Sequence, residues 1–297
     1  MITLAIPFYK RLDYLKLAIE SVVKQTSKRW RLIVSDDGGN EPGAEAIVEA
    51  FDDNRITYSL SKQHLGMVGN WNRCLELADT PFVTLLHADD ELLPNYVELM
   101  ETHWEKNPDA FAIFCQPKLI GERGQAVFSF PDLYKRFLIP SVRQEVVLNG
   151  EPAVHSLLRG NYIFCPTLCY RKAALGDLKF DNKWKQVQDL DFFMTALFEG
   201  NTLLGLPTRA YSYRRHSGNA TESYTRSLLR FEEEVQLFKK LAIAAREKGW
   251  QKAEKAAKAA TVLRLHLLYR IIEDLGRLRW KDAGRKAKFL HRHLTGI

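Results

Sequence analysis

Short apolar runs alternate with amphipathic stretches through the first 120 residues. ITLAIP at 2–7 is an unbroken apolar run, as expected of a strand buried on both faces. After it, Leu12, Leu15, Ile19, Val22 and Val23 recur at helical spacing. RLIVSDDG at 31–38 predicts a second strand ending in acid and glycine, and PGAEAIVEAF at 42–51 a helix with proline near its start. RITYSL at 55–60 predicts a third strand. In GMVGNWNRCLELA, residues 66–78, Val68, Trp71, Leu75 and Ala78 share one helix face. PFVTLLH at 81–87 is a fourth, central strand, PNYVELMETHWEKN at 94–107 a helix, and AFAIFCQ at 110–116 a fifth strand. Strand and helix in strict alternation predict an α/β fold with a mostly parallel central sheet flanked by helices.

The pattern weakens from 117 to 165, where Gly, Pro and Arg interrupt it; loops and a helix near 151–159 are expected. FCPTLCYR at 164–171 reads as a strand and VQDLDFFMTALFEG at 187–200 as a helix, followed by NTLLGLP and RAYSYRRHSGNATES. Beyond 224 the chain turns helical. Leu228, Phe231, Val235, Phe238, Leu241 and Ala245 mark one amphipathic helix. Ala253, Ala256, Ala260, Leu263, Leu267 and Ile271 mark a second, with Gly249 as the break between them. A third, basic stretch begins near 280. The sequence has no internal repeat and no low-complexity tract.

Composition narrows the class. Hydrophobic residues make up 46% of the 297 and charged residues 27%, as in ordinary globular proteins. No apolar run approaches the ~18 residues that a membrane span needs. MITLAIPFYKRLDYL lacks the basic start and the cleavage site of an export signal. The four cysteines do not suggest a disulfide scaffold in a chain of this length, and Cys165 and Cys169 are not at zinc-pair spacing. Buried thiols in a cytoplasmic protein are expected. The net charge of +7 is uneven: residues 222–297 hold 18 Lys and Arg against 9 Asp and Glu, so the rest of the chain is slightly acidic.

In open α/β sheets, ligands bind beyond the carboxyl ends of the strands. Those ends here carry Pro7 and Tyr9, then Asp36 and Asp37, then Asp89 and Asp90. Adjacent carboxylates at a strand end suit either a turn with a helix cap or a divalent cation on oxygen ligands. A protein that supplies few ligands leaves the rest to substrate phosphates, which points to a diphosphate bound through Mn²⁺ or Mg²⁺. Gly38 after Asp36–Asp37 lets backbone approach a ligand, with Asp36 the choice for a base contact. Asp189 and Asp191, two apart in QDLDFF, face different sides of their helix, one toward a cleft and the other toward solvent. A carboxylate there either complements the helix dipole or acts as a general base. His216 follows Arg214 and Arg215, which could balance phosphate charge while the ring binds a cation.

Taken in order, ITLAIPFYKRLDYLKLAIESVVKQT, RLIVSDDG, GMVGNWNRCLELADTPFVTLLHADD, QDLDFFMTALFEG and YSYRRHSGNATES resemble the family-2 inverting glycosyltransferases with the GT-A fold. The resemblance covers roughly residues 1–222, which it implies to be the catalytic domain, with 223–297 a basic helical extension. It implies a nucleotide-diphospho-sugar donor, most often a uridine one. Base recognition falls to Asp36 with Asp37 alongside, and Pro7 and Tyr9 line the base pocket. Asn70 and Asn72 flank the nucleotide, Asp89 lies near the ribose, Asp90 and His216 hold the cation, and Asp189 is the base. Arg214, Arg215 and Asp191 are expected on the substrate side. The chain departs from the family at Lys10, where asparagine is usual, at His87, where a further aspartate is common, and at Gln188, where glutamate usually precedes the base.

The expected acceptor is a glycan or lipid-linked glycan hydroxyl. The basic C-terminus is expected either to pack with a solvated face or to touch an anionic membrane, and no nucleic-acid module is recognised. Two other functions fit less well. A nucleotidyltransferase would carry a Gly-rich first loop, and IPFYKRLDY has no glycine; a non-catalytic nucleotide-sugar-binding protein would not need the retained acids.

Overall fold

The computed structural model describes residues 1–127, 138–141, 143–216, 224 and 227–294. The expected boundary at 222/223 and the 217–223 part of the last motif lie outside the described residues.

The first apolar run forms β1 (Ile2–Phe8). Ile2, Leu4, Ile6 and Phe8 enter the core on one side of the sheet, and Ala5 the core on the other. A strand with both faces covered has no use for the polar alternation of a half-exposed one. In chain order follow α1 (Leu12–Val23), β2 (Trp30–Asp36), α2 (Ala44–Glu49), β3 (Ile56–Leu60), α3 (Gly66–Leu77), β4 (Phe82–Leu85), the two-residue β5 (Glu91–Leu92), α4 (Tyr96–Lys106) and β6 (Ala112–Ile120). Then come β7 (Val146–Leu148), α5 (Gly150–Leu158), a 3₁₀ turn (Cys165–Thr167), β8 (Leu168–Arg171), the helical turn α6 (Lys172–Leu175), α7 (Gln188–Phe198) and β9 (Leu203–Arg214). The helices α8 (Leu229–Glu247), α9 (Gln251–Ala259), α10 (Thr261–Gly276) and α11 (Trp280–Leu294) close the chain.

The nine strands of the described residues join one sheet in the order β3-β2-β1-β4-β8-β6-β9-β5, with β7 also on β9. The parallel character expected of the sheet holds from β3 to β4 and again between β6 and β9. β8 instead runs antiparallel to both of its neighbours, β4 and β6. That insertion has a positional consequence. Phe82 pairs with Arg171 and Thr84 with Cys169, so the 3₁₀ turn preceding β8 lies beside the segment that follows β4.

β9 is one long strand where two segments were expected, bent by a register shift opposite Gln116 and Pro117 of β6. Its first part pairs with the start of β6, and its last residues pair with the end of β6 and with β5. α1, α2 and α4 cover one face of the sheet. α3, α5 and α7 cover the other, and Phe231, Val235, Phe238 and Leu241 of α8 belong to the same core as Phe193 and Leu197 of α7. The helix expected across 253–271 is two. Ala260 takes a left-handed conformation (φ 43°) at the joint, fully buried, without the glycine that would mark such a break. The four cysteines are unpaired and buried, and burial raises the thiols, those of Cys74 and Cys115 to about 12.

Candidate active site

Because β2, β1 and β4 are parallel neighbours, their carboxyl ends share one rim: Asp37 donates its N–H to the Phe8 carbonyl, and Leu86 donates to Ala5. The first pair of acids lies at the β2 end, and both are buried. Asp36 accepts from the Gly39 N–H at 2.9 Å and from the Tyr58 hydroxyl at 2.7 Å. Burial and the Asp36 carboxylate both push the Tyr58 phenol upward, which keeps it a donor. Asp37 accepts from the Leu65 N–H at 2.6 Å and meets His64 Nδ1 at 2.9 Å. Gly38 has φ +91°, a turn that favours glycine, and a Cβ there would stand a tight 3.3 Å from the His64 backbone nitrogen. Over this pair Tyr9, an exposed ring, lies against His64 with centroids 4.8 Å apart. Pro7 is the β1 residue paired with Ser35.

The second pair sits in the turn after β4. Asp90 is buried, and both of its oxygens are engaged: one accepts from the Arg214 N–H at 2.7 Å, the other from the Tyr211 hydroxyl at 2.9 Å. Burial first, then the neighbouring Asp89 charge, raise the Asp90 carboxyl well above the usual range. Asp89 is the more open of the two, and its Oδ2 meets His216 Nε2 at 2.8 Å. Burial works to raise its carboxyl, yet the His216 bond and the nearby imidazoles outweigh burial and hold it low. His87, stacked on Trp71 at 5.0 Å, keeps a buried Nε2 with no hydrogen-bond partner among the described residues. Burial lowers its pKa and so leaves the ring neutral. Ligand atoms of His87, Asp89 and Asp90 all lie within 4.8 Å of one another. The carboxylate oxygens of this group are donors that fit Mn²⁺ or Mg²⁺, and the neutral imidazole stands beside them.

The side chains expected to contact ligand also hold partners within the protein. Asp90 accepts its hydrogen bonds from β9 and stands in the group with His87 and Asp89, while Asp89 is the carboxylate that meets His216. Arg214 is buried and works as a brace: it donates to the carbonyls of Asp89, Gly121 and Glu122 and pairs with Glu91. Arg215 lies over the Tyr213 ring, 4.8 Å from its centroid, and with His216 borders an open groove against Gly121 and Arg123. Asn70 accepts from Ser35 Oγ and donates to the Phe8 and Ser35 carbonyls, which ties α3 to β1 and β2. Asn72 spends both ends of its amide on the Phe180 backbone. Asp191 is buried rather than solvated: it accepts from Trp184 Nε1 at 2.9 Å and pairs with Lys240 of α8 at 2.5 Å.

Asp189 stands in the first turn of α7, half-buried, with one oxygen on its neighbour's Leu190 N–H at 2.7 Å. Its charge raises the Cys165 thiol and the Tyr170 phenol, after burial has done most of that. Cys165 opens the 3₁₀ turn beside the segment following β4. The preceding residue, Gln188, is buried with its Oε1 unpartnered among the described residues. The start of α7 is held from another helix. Glu233 of α8, itself buried, accepts from the N–H groups of Lys185 (2.9 Å), Gln186 (2.8 Å) and Val187 (3.3 Å). His64, Tyr58, Tyr211 and Glu233 had no sequence signal, since each is defined by a partner far along the chain.

Comparisons with known proteins bear on this arrangement. Residues 3–153 match the family model for Glycosyl transferase family 2. An uncharacterized glycosyltransferase of Methanocaldococcus jannaschii is 28% identical over 187 residues, 62% of this chain and 60% of that protein. The Escherichia coli UDP-Glc:alpha-D-GlcNAc-diphosphoundecaprenol beta-1,3-glucosyltransferase WfgD is 29% identical over 111 residues, 37% of this chain and 44% of that one. The chain thus spans at most about 60% of the length of these relatives. In fold it is similar to S. aureus TarS 1–349 in complex with UDP-GlcNAc (TM-score 0.63, 17% identity, 99% of this chain and 92% of that one). It is similar also to the Pyrobaculum calidifontis mannosyltransferase PcManGT with GDP-Man and Mn²⁺ (TM-score 0.60, 16% identity, 99% and 86%).

Proposed function

The chain belongs to glycosyl transferase family 2, and on that premise we propose that it moves a sugar from a nucleotide-diphospho-sugar, a uridine one first, to an acceptor hydroxyl with inversion at the anomeric carbon. The observation that supports this reading most is the pair of acidic sites at neighbouring strand ends, Asp36 and Asp37 after β2 and Asp89 with His216 after β4; on this reading Asp189, at the start of α7, completes the site. The first receives the nucleoside, with Pro7 and the Tyr9–His64 pair as the wall against which a flat base rests. Asp89, Asp90 and His87, whose ligand atoms lie together, would hold Mn²⁺ or Mg²⁺, with His216 beside Asp89. A divalent cation bound there offsets the negative charge that builds on the leaving diphosphate. Asp189 accepts the proton of the acceptor hydroxyl at its carboxylate as that oxygen attacks, and Glu233 keeps the helix start in place for it.

The donors named for TarS and PcManGT support a nucleotide sugar, and WfgD, named for a diphosphoundecaprenol substrate, supports a lipid-linked glycan acceptor. A panel of nucleotide sugars in thermal-shift assays with Mn²⁺, then transfer assays with and without EDTA, tests this. Donor-dependent stabilisation and turnover, both lost with EDTA, are expected. Donor binding with neither transfer nor donor hydrolysis would instead indicate a binding protein.

A further inference from the structure

We propose that the exposed apolar face of α10, flanked by the basic face of α11, docks the protein on the surface of an anionic lipid bilayer. Of the fourteen large apolar residues left exposed among the described residues, seven fall between 265 and 280. Leu265, Leu268, Tyr269, Ile272 and Leu275 recur at helical spacing, and at about 100° per residue they share an arc of roughly 120°. The opposite side of the same helix, Leu263 and Leu267, is buried in the core. Leu278 and Trp280 extend the apolar surface into the turn and are 72% and 64% exposed. Soluble surfaces carry single apolar residues as a matter of course, but a contiguous stripe of this size marks a contact.

Charge selects the partner. Residues 261–292 hold nine Lys and Arg against three Asp and Glu. The three acids are engaged internally: Asp274 with Lys286 at 2.6 Å, Glu273 with Arg270 and Arg277, Asp282 with Arg285. Lys281, Arg285, Lys288 and Arg292 follow one another along one side of α11, all exposed. A second copy of the chain would bring the same surplus of positive charge against this one, which is repulsive. Phosphate of a nucleic acid would answer the cations and leave the apolar stripe in water. An anionic bilayer answers both, taking the stripe between its headgroups and the cations at its surface. The Lys286–Asp274 pair, buried on both sides, pins α11 to α10, so the two faces are presented together. Among the described residues no helix is long and apolar enough to cross a membrane, so the contact is one that lies along the surface.

Sedimentation of the full chain with vesicles tests this without donor or acceptor, so the outcome is independent of the reaction. We expect the protein to pellet with vesicles of phosphatidylcholine and phosphatidylglycerol, and far less with phosphatidylcholine alone. Ile272→Asp with Leu268→Asp, both at exposed positions, should cut partitioning at least tenfold with an unchanged melting temperature. Lys281→Glu with Lys288→Glu should abolish the preference for phosphatidylglycerol. Wild-type protein that stays in solution with the anionic vesicles, or either double variant pelleting as wild type does, overturns the proposal. So does a wild-type dimer in sedimentation velocity that the apolar-face variant converts to monomer while vesicle binding is absent.

Discussion

Replacing Glu233 by alanine removes a side chain that caps the start of the helix carrying Asp189. Three N–H groups lose their acceptor, those of Lys185, Gln186 and Val187. The Lys185 backbone lies in an exposed stretch and can turn to water, whereas Val187 is buried and cannot. A lost N-cap costs ~1 kcal/mol, an unmade buried hydrogen bond ~1–3, and a lost carboxylate at a helix N-terminus up to ~1. With two of the three donors partly hydrated, the total is about 2–3 kcal/mol. Unfolding entropy near 2.1 cal/mol/K per residue converts that into a fall of about 3–5 °C in Tm for a chain of this size. Glu233→Gln keeps a neutral acceptor in place, and since charge-assisted bonds are roughly twice as strong it should lose about half as much. Differential scanning calorimetry of the three proteins gives the ordering wild type, Gln, Ala. An alanine variant that melts with wild type, or a glutamine variant as unstable as alanine, refutes the capping role.

Asp189→Asn should fold and bind donor as wild type does while transfer falls about 10²–10⁴-fold, the usual share of a general base; near-normal turnover would assign the proton to another group. Asp89→Asn should weaken Mn²⁺-dependent donor binding at least ~10-fold in calorimetric titration, since it loses the charge that faces the cation, whereas an unchanged titration would leave the cation elsewhere. His266 supplies a pH test. Burial first, then the charges of Arg230 and Arg270, lower it to about 3. It is therefore neutral when folded and takes a proton only on unfolding. Its contribution is complete above the ordinary value of ~6.5 and is lost as pH falls toward 3, by up to ~1.4 kcal/mol per pH unit. Urea titrations of wild type and His266→Gln at pH 7 and 5 should differ in this slope, and equal slopes would contradict a buried neutral ring.

The local grammar of the chain was legible where a residue's neighbours in sequence are also its neighbours in space. The first four parallel strands, their helices and the acids at the strand ends all follow from apolar periodicity and from the rule that ligands gather at carboxyl ends. What could not be read depended on distant partners. Nothing near LCYR in the sequence says that β8 runs antiparallel between β4 and β6, because its direction is set by the return path of the chain. Asp89 and Asp90 look equivalent as a dipeptide, and only Tyr211 and the Arg214 backbone distinguish the anchored acid from the open one. Asn70, Asn72 and Asp191 carry the residue types of a binding site, and the tertiary crosslinks they make are set by partners distant in sequence. The break at Ala260 comes from packing, without a glycine or proline to announce it.

The bond from Arg214 to Asp90 spans 124 residues. During synthesis, therefore, the stretch that identifies the family, which ends at 153, leaves the ribosome with its acidic turn still unbraced. Until β9 has emerged and slotted in beside β6, two carboxylates face each other without the arginine backbone and tyrosine that quiet one of them. An earlier-made part of this chain is thus completed by a later one, and a chain stopped before β9 carries the sequence signature of the family without the brace on its acidic turn.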